Sequence, residues 1–340
     1  MPVQGRPLDE WKQLVLRSMP RPAWLQAEAP NGEVVVCTRV RYARNLQGFA
    51  FPHRASRHEL EEVASRLAQV CADPNLGLES AGSLTAGLAG HYLAYRLISP
   101  DFPWSSPGRA LYLDRRQSVS LMVNEEDHLR LQALTAGWSS QDALRTAQTV
   151  LDSLRRHLEF AGNAGTGFLT ASPYNEGPAR RISALLHLVG LATTRRLPDV
   201  LHALAARNLT ARGLFGEASR AVGAFVQVST TSQEEAPFVG ACQYLIAEEE
   251  RARQSVGSDQ IRRSAESAIE FATVSRRLSI EEALRVLSWA RWASSRGISG
   301  FPASHRQVDL WVAELQAMTA GSESEAARNR AAALRFWFGR

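Results

Sequence analysis

Lysine is almost missing from this 340-residue chain: Lys12 stands alone against 38 arginines. That scarcity excludes two widespread phosphate-handling designs. A Walker A loop ends in Gly-Lys-Ser/Thr, and a conventional protein kinase carries a lysine on its third strand; Lys12 belongs to neither setting. Cysteine is scarce too. Cys37, Cys71 and Cys242 are far apart and form no Cys-x-x-Cys pair, which argues against a disulfide scaffold or a zinc knuckle and predicts a reducing, cytoplasmic setting. No run of about 20 apolar residues occurs and no apolar stretch follows a basic start, so neither a membrane span nor export is expected. The formal charge of +5 reflects an arginine bias spread along the whole chain. With no recognition-helix or aromatic stacking pattern beside it, that charge gives nucleic-acid binding little support.

What is present describes an ordinary globule, 45% hydrophobic and 21% charged, long enough for one large domain with a smaller one attached. Residues 1–33, with Pro7, Pro20, Pro22 and Pro30, read as a loosely structured arm. A strand is expected at Val34–Cys37, with Thr38–Asn45 at its end and beyond. Ser56-x-x-Glu59 is a capping box for a helix whose buried stripe is Leu60, Val63, Leu67 and Val70. Period-two patterning at Leu111 and Leu113, then at Val119, Leu121 and Val123, predicts two strands that deliver Glu125, Glu126 and Asp127 to a strand exit. A long helix is predicted over Ser139–Phe160, capped by Asp142, and further strands at Phe168–Thr170 and Ala224–Ser229. After about Glu234 the signal is helical, with a second capping box at Ser279-x-x-Glu282. Trp289, Trp292 and Trp311 are expected in the core. This order predicts an α+β fold: residues 34–255 as an antiparallel sheet flanked by helices, and 256–340 as a helical C-terminal subdomain.

With lysine unavailable, phosphate must be held by arginine. Arg39 and Arg41 are two apart and point the same way on extended backbone. Arg130 follows the acidic run, Arg181 follows the Pro173–Gly177 turn, and Arg212 precedes the Gly213 and Gly216 turn. Guanidinium keeps its charge and presents several donors in one plane, which suits the several oxygens of a nucleotide polyphosphate.

The segment Cys37-Thr38-Arg39-Val40-Arg41-Tyr42-Ala43-Arg44-Asn45, the run Val123-Asn124-Glu125-Glu126-Asp127-His128-Leu129-Arg130-Leu131-Gln132, Gly167-Phe168-Leu169-Thr170 with Pro173 and Asn175, and Asn208-Leu209 followed by Arg212-Gly213-Leu214-Phe215-Gly216-Glu217 keep a common order and spacing. Together they resemble the ATP:guanido phosphotransferases, the phosphagen kinases, and within them the bacterial protein-arginine kinases. The resemblance implies ATP and Mg2+ as cofactors, with Arg39, Arg41, Arg130, Arg181 and Arg212 on the nucleotide phosphates. It implies Glu126 and Glu217 about the acceptor guanidinium, which stays a poor nucleophile until carboxylates orient and deprotonate it. Glu125 and Asp127 would supply supporting hydrogen bonds or water-mediated magnesium contacts. A short segment before Arg39 favours protein substrates with exposed arginines over free guanidino compounds, and the family implies a homodimer through the C-terminal part. An activator or protease-system partner goes unnamed by the sequence.

Three departures from the family pattern stand out. Ser172 occupies the place of the family's reactive cysteine, which removes an easily formed thiolate. Pro178 removes one amide donor from the neighbouring turn, and Arg180 adds charge beside Arg181. Arg328-Asn329-Arg330-Ala331 stands where the protein-arginine kinases carry Arg-Asp-x-x-Arg-Ala, so phosphoarginine sensing there is not assumed. Two alternatives therefore stay open: a catalytically impaired adaptor that binds nucleotide or phosphoarginine, and a small-guanidine kinase.

Overall fold

Apolar and polar residues go on alternating past Cys37, with Thr38, Val40 and Tyr42 to one side and Arg39 and Arg41 to the other. In the computed structural model, which describes residues 20–339 apart from 206–208, 215–220, 233 and 319–321, this run is one strand, β1 (Val35–Arg44). The two arginines therefore lie within a central strand and do not leave its end. Alternation tolerates charge wherever one sheet face is open, so the arginines are no stop signal.

The chain continues through α1 (Arg57–Cys71), β2 (Leu78–Ser80), α2 (Ala86–Ala94), β3 (Ala110–Asp114), β4 (Val119–Val123), β5 (Leu129–Ala136) and α3 (Ser140–Arg155). A two-strand hairpin of β6 (Gly162–Asn163) and β7 (Gly167–Phe168) follows, then β8 (Arg180–His187), α4 (Val189–Thr193), α5 (Leu197–Ala205), β9 (Thr210–Gly213) and β10 (Phe225–Thr230). The rest is helical: α6 (Ala236–Gln254), α7 (Ser258–Val274), α8 (Ile280–Ser295), α9 (His305–Ala317) and α10 (Glu323–Trp337). The main sheet has the order β2-β3-β4-β5-β1-β8-β10-β9, antiparallel at every pairing. This is the α+β architecture read from the sequence.

Both capping boxes form: Ser56 and Ser279 each accept from the backbone three residues on and are bonded in return by Glu59 and Glu282. The Ser139 cap does not. Ser139 makes no side-chain bond to its helix, its amide is given to Thr38 Oγ1 at 3.3 Å, and Asp142 turns to Arg145. The helix also stops at Arg155, and Phe168–Thr170 contributes only the end of β7. Trp24 and Leu25, expected in a loose arm, are buried; residues 1–19 lie outside the described part. Trp292 and Trp311 are buried and Trp289 partly so.

The two sheet faces differ. Val40, Leu131, Ile182 and Val228 pack on one side against α1, α3 and α6. On the other side Cys37, Leu134, Leu185 and Phe225 pack against α2, α8 and α9. That second face is apolar at the start of β1 and polar at its end. Among the described residues no helix is long and apolar enough to cross a membrane, and all three cysteines are free and buried.

Candidate functional site

Residues directly opposite each other on paired strands share a face. Arg39 is opposite Leu134 and Ser183, Arg41 is opposite Gln132 and Arg181, and Ala43 is opposite Arg130. Gln227, two residues before Ser229 on β10, is opposite Arg212, and Ser229 is opposite Ser183. All five sequence-predicted arginines are therefore carried on one face of the sheet. Arg180, the extra charge beside Arg181, is opposite Tyr42 on the other face and pairs with Glu235 at 2.9 Å. Strand alternation thus separates the two adjacent arginines.

A cleft of about 100 Å³ at the end of β1 is lined by Arg41, Arg130, Arg181, Glu125, Glu126, Asp127 and Asn175, among others. Its acidic wall is the β4–β5 turn. Asn124 holds a left-handed backbone (φ 56°) and donates to Leu60 O at 2.9 Å and Gly108 O at 2.6 Å. Glu125 is buried and takes Arg130 Nη1 on both oxygens at 2.6 and 2.7 Å, with Ser99 Oγ at 2.6 Å. Asp127 takes Asn45 Nδ2 at 2.6 Å and the Ala171 amide at 2.7 Å. His128 Nδ1 accepts from the Leu46 amide at 3.0 Å, which leaves Nε2 to donate to Ala50 O at 3.0 Å. Four of five consecutive polar side chains are thereby consumed in fixing the turn. Glu126 alone among them is exposed.

Charge sorts these groups further. Burial, seconded by Asp127 and Glu125, raises Glu126 above the usual carboxylate range against the pull of Arg130. Glu125 goes the other way, because Arg130 and the bonds it accepts outweigh its burial. Burial and then neighbouring guanidiniums push Arg39 and Arg41 well below the arginine range; the neighbours are Arg96, Arg130 and Arg181, together with Arg39 itself for Arg41. Buried Nε atoms of Arg39, Arg41 and Arg96 have no hydrogen-bond partner. Arg181 donates to Ser229 Oγ at 2.7 Å, and Arg39 to Gln227 Oε1 at 3.2 Å. Half-buried guanidiniums crowded on one sheet face favour an anion beside them.

Ser172 is partly buried and opens the turn Pro173–Asn175, with its carbonyl accepting from Thr170 Oγ1 at 2.8 Å. The loop that carries it is tied to β1 by Arg44, which donates to Pro178 O at 3.1 Å and Ala179 O at 3.3 Å and lies 3.7 Å from the Phe168 ring centroid. Pro178 thus loses an amide but offers a carbonyl. Glu217 and Asn208 lie outside the described residues. Among the described residues, no group of three or more His, Cys, Asp or Glu is arranged to hold a metal ion.

The sequence reading missed Arg96 and Gln227, and gave Gln132 no role beyond its place in the motif. Arg96 interrupts the apolar run Tyr92-Leu93-Ala94-Tyr95 and Leu97-Ile98. A lone charge inside such a run is a signal that it has a buried purpose.

Residues 63–234 match the family described as ATP:guanido phosphotransferase, C-terminal catalytic domain. A protein-arginine kinase of Symbiobacterium thermophilum is 33% identical over 305 residues, covering 85% of this chain and 86% of that protein. A protein-arginine kinase of Pelotomaculum thermopropionicum is 35% identical over 301 residues, covering 82% and 83%. The fold is shared with the crystal structure of lombricine kinase (TM-score 0.56, 20% identity, 71% of this chain and 74% of that one). It is shared also with the duplicated taurocyamine kinase of Schistosoma mansoni (TM-score 0.55, 18% identity, 78% and 41%). A family match over half the chain, with relatives of this identity along most of its length, leaves one conclusion: the chain belongs to the ATP:guanido phosphotransferase family.

Proposed function

We propose that this protein transfers the γ-phosphoryl group of MgATP to arginine side chains of other proteins. The observation that carries the reading is the pairing, in one cleft, of a single exposed carboxylate, Glu126, with Arg41, Arg130 and Arg181. The protein-directed branch rests on relatives named protein-arginine kinase along most of the chain.

In this reading the guanidinium of an acceptor arginine lies against Glu126, with Glu217 as the second carboxylate. Its nitrogen forms a bond to the γ-phosphorus as the bond to the β,γ-bridging oxygen breaks. ADP leaves with that electron pair, and the proton lost from nitrogen passes to a carboxylate. A carboxylate held above its usual range is the better base for a group as reluctant to ionise as guanidinium. Arg39, Arg41, Arg130, Arg181 and Arg212 hold the polyphosphate and meet charge as it develops on the in-line oxygens. Ser172 offers a neutral hydroxyl where the family pattern has a thiol. Magnesium would enter with the nucleotide: both oxygens of Glu125 and Oδ1 of Asp127 are taken by protein donors, so phosphate oxygens and water would supply most of its ligands, with Asp127 Oδ2 left to bond such a water.

The test is incubation of the purified protein with MgATP and an unstructured acceptor rich in arginine, read by mass spectrometry under conditions that spare the acid-labile phosphoarginine. The expected result is phosphoarginine on the acceptor, lost in the Glu126→Gln protein. Saturable MgATP binding without any transfer, or transfer to free arginine in preference to the protein, would overturn the reading.

A further inference from the structure

Arg96 lies just past α2, in left-handed backbone (φ 60°) that costs a non-glycine residue about 1 kcal/mol. The conformation is imposed from the sheet. Gln132 Nε2 donates to Arg96 O and to Ser120 Oγ, each at 2.8 Å, and Ser120 Oγ donates to Leu97 O at 2.6 Å. Gln132 lies opposite Arg41 on the arginine face. So bolted down, the backbone sends the Arg96 side chain to Gln227 Oε1 on β10, the same oxygen that Arg39 uses. Two guanidiniums thus meet on one neutral atom, with a buried Nε of each unpartnered, and neither forms an ion pair among the described residues. A turn strained to bring a second positive charge to Arg39 makes sense only if a negative charge completes the group.

Resting on the phosphotransferase reading above, we infer that Arg96 is a sixth guanidinium of the nucleotide site, acting with Arg39 on the phosphates remote from the transferring group. Direction along β1 supports this assignment. Arg41 lines the cleft beside Glu126; Arg39 is two residues back, about 7 Å along an extended strand. That displacement suits the diphosphate that leaves as product. Gln227 is then the group that holds the pair without neutralising it, and a glutamate of the same shape would supply the anion from within the protein.

The test uses full-length protein and MgADP, with binding by calorimetry and thermal unfolding as a second readout. Arg96→Gln is expected to weaken MgADP binding at least tenfold and to raise KM for ATP in parallel. KM for the protein acceptor should stay unchanged. Arg96→Lys should recover most of the loss. The unliganded Arg96→Gln protein should melt no lower than the parent, since a repulsion has been removed, yet should lose most of the upward shift that MgADP gives. Gln227→Glu should likewise raise the unliganded melting temperature while weakening MgADP. Arg263→Gln, an exposed charge on α7, should change neither. An Arg96→Gln affinity within twofold of the parent overturns the inference. So does a lower melting temperature with affinity that lysine fails to restore, the mark of a purely structural arginine. A parent protein that binds no MgADP overturns the phosphotransferase reading itself.

Discussion

At the scale of single residues, the acidic turn separates four buried, bonded side chains from one exposed carboxylate. Asn124, Glu125, Asp127 and His128 are buried and bonded, while Glu126 reaches solvent, its carboxyl raised by partial desolvation and by two acidic neighbours. Glu126→Gln should lower kcat by about 10²- to 10⁴-fold with MgATP affinity kept, as expected for loss of a general base; an equal loss of affinity would assign it to nucleotide binding instead. His128 makes a separate prediction. Burial lowers it to about 4, so it stays neutral in the folded chain, whereas the unfolded chain protonates near 6.5. The unfolded state binds more protons in that window, and stability present above pH 6.5 is lost as pH falls toward 4, by on the order of 3 kcal/mol for this group. Buried His91, also lowered to about 4, adds to the trend. Urea midpoints measured from pH 7 to pH 4 should fall from the upper end of that range, and a flat profile above pH 5 would contradict the assignment.

At the scale of elements, the turn is held by its first residue. Asn124→Ala leaves the Leu60 and Gly108 carbonyls without their donor and keeps the left-handed backbone on a residue less suited to it. A loss of about 2 to 4 kcal/mol in denaturant unfolding is expected. Much of this level was legible in the sequence. Period-two patterning located β3 and β4, and two Ser-x-x-Glu boxes located the starts of α1 and α8. What escaped was set by partners distant in sequence. The length of β1 depends on which sheet face is left open, and Asp142 has no reciprocal bond to the Ser139 amide because Thr38, a hundred residues earlier, accepts from it. Helix α2 escaped because Gly87 and Gly90 dilute its propensity, and with it went Arg96. The five arginines could be read as candidate phosphate ligands only in combination, since their shared face is a property of strand register.

At the scale of the whole molecule, a buried charge network joins the sheet to the C-terminal helices. Arg291 is fully buried and donates to Asp309 Oδ1 at 2.6 Å, to Gly32 O at 2.8 Å and to His187 Nδ1 at 3.2 Å. Arg253 binds Glu249 at 2.6 Å and reaches the same histidine nitrogen, while His187 Nε2 contacts Ser288 Oγ at 2.8 Å. Arg291→Met strips Asp309 of its closest partner and should cost about 3 to 5 kcal/mol in urea unfolding. A cost under about 1 kcal/mol would mean that Arg306, the other partner of Asp309 at 3.3 Å, carries the charge alone.

The covering of Cys37, Leu134, Leu185 and Phe225 by α8 and α9 bears on how the polypeptide is born. Every strand has been translated by Thr230, yet the greasy patch they create has only α2 over it until the closing helices follow. At elongation rates of about 5 to 20 residues per second that interval is on the order of 10 s. For its duration the nascent protein is a client for any chaperone that grips exposed apolar surface.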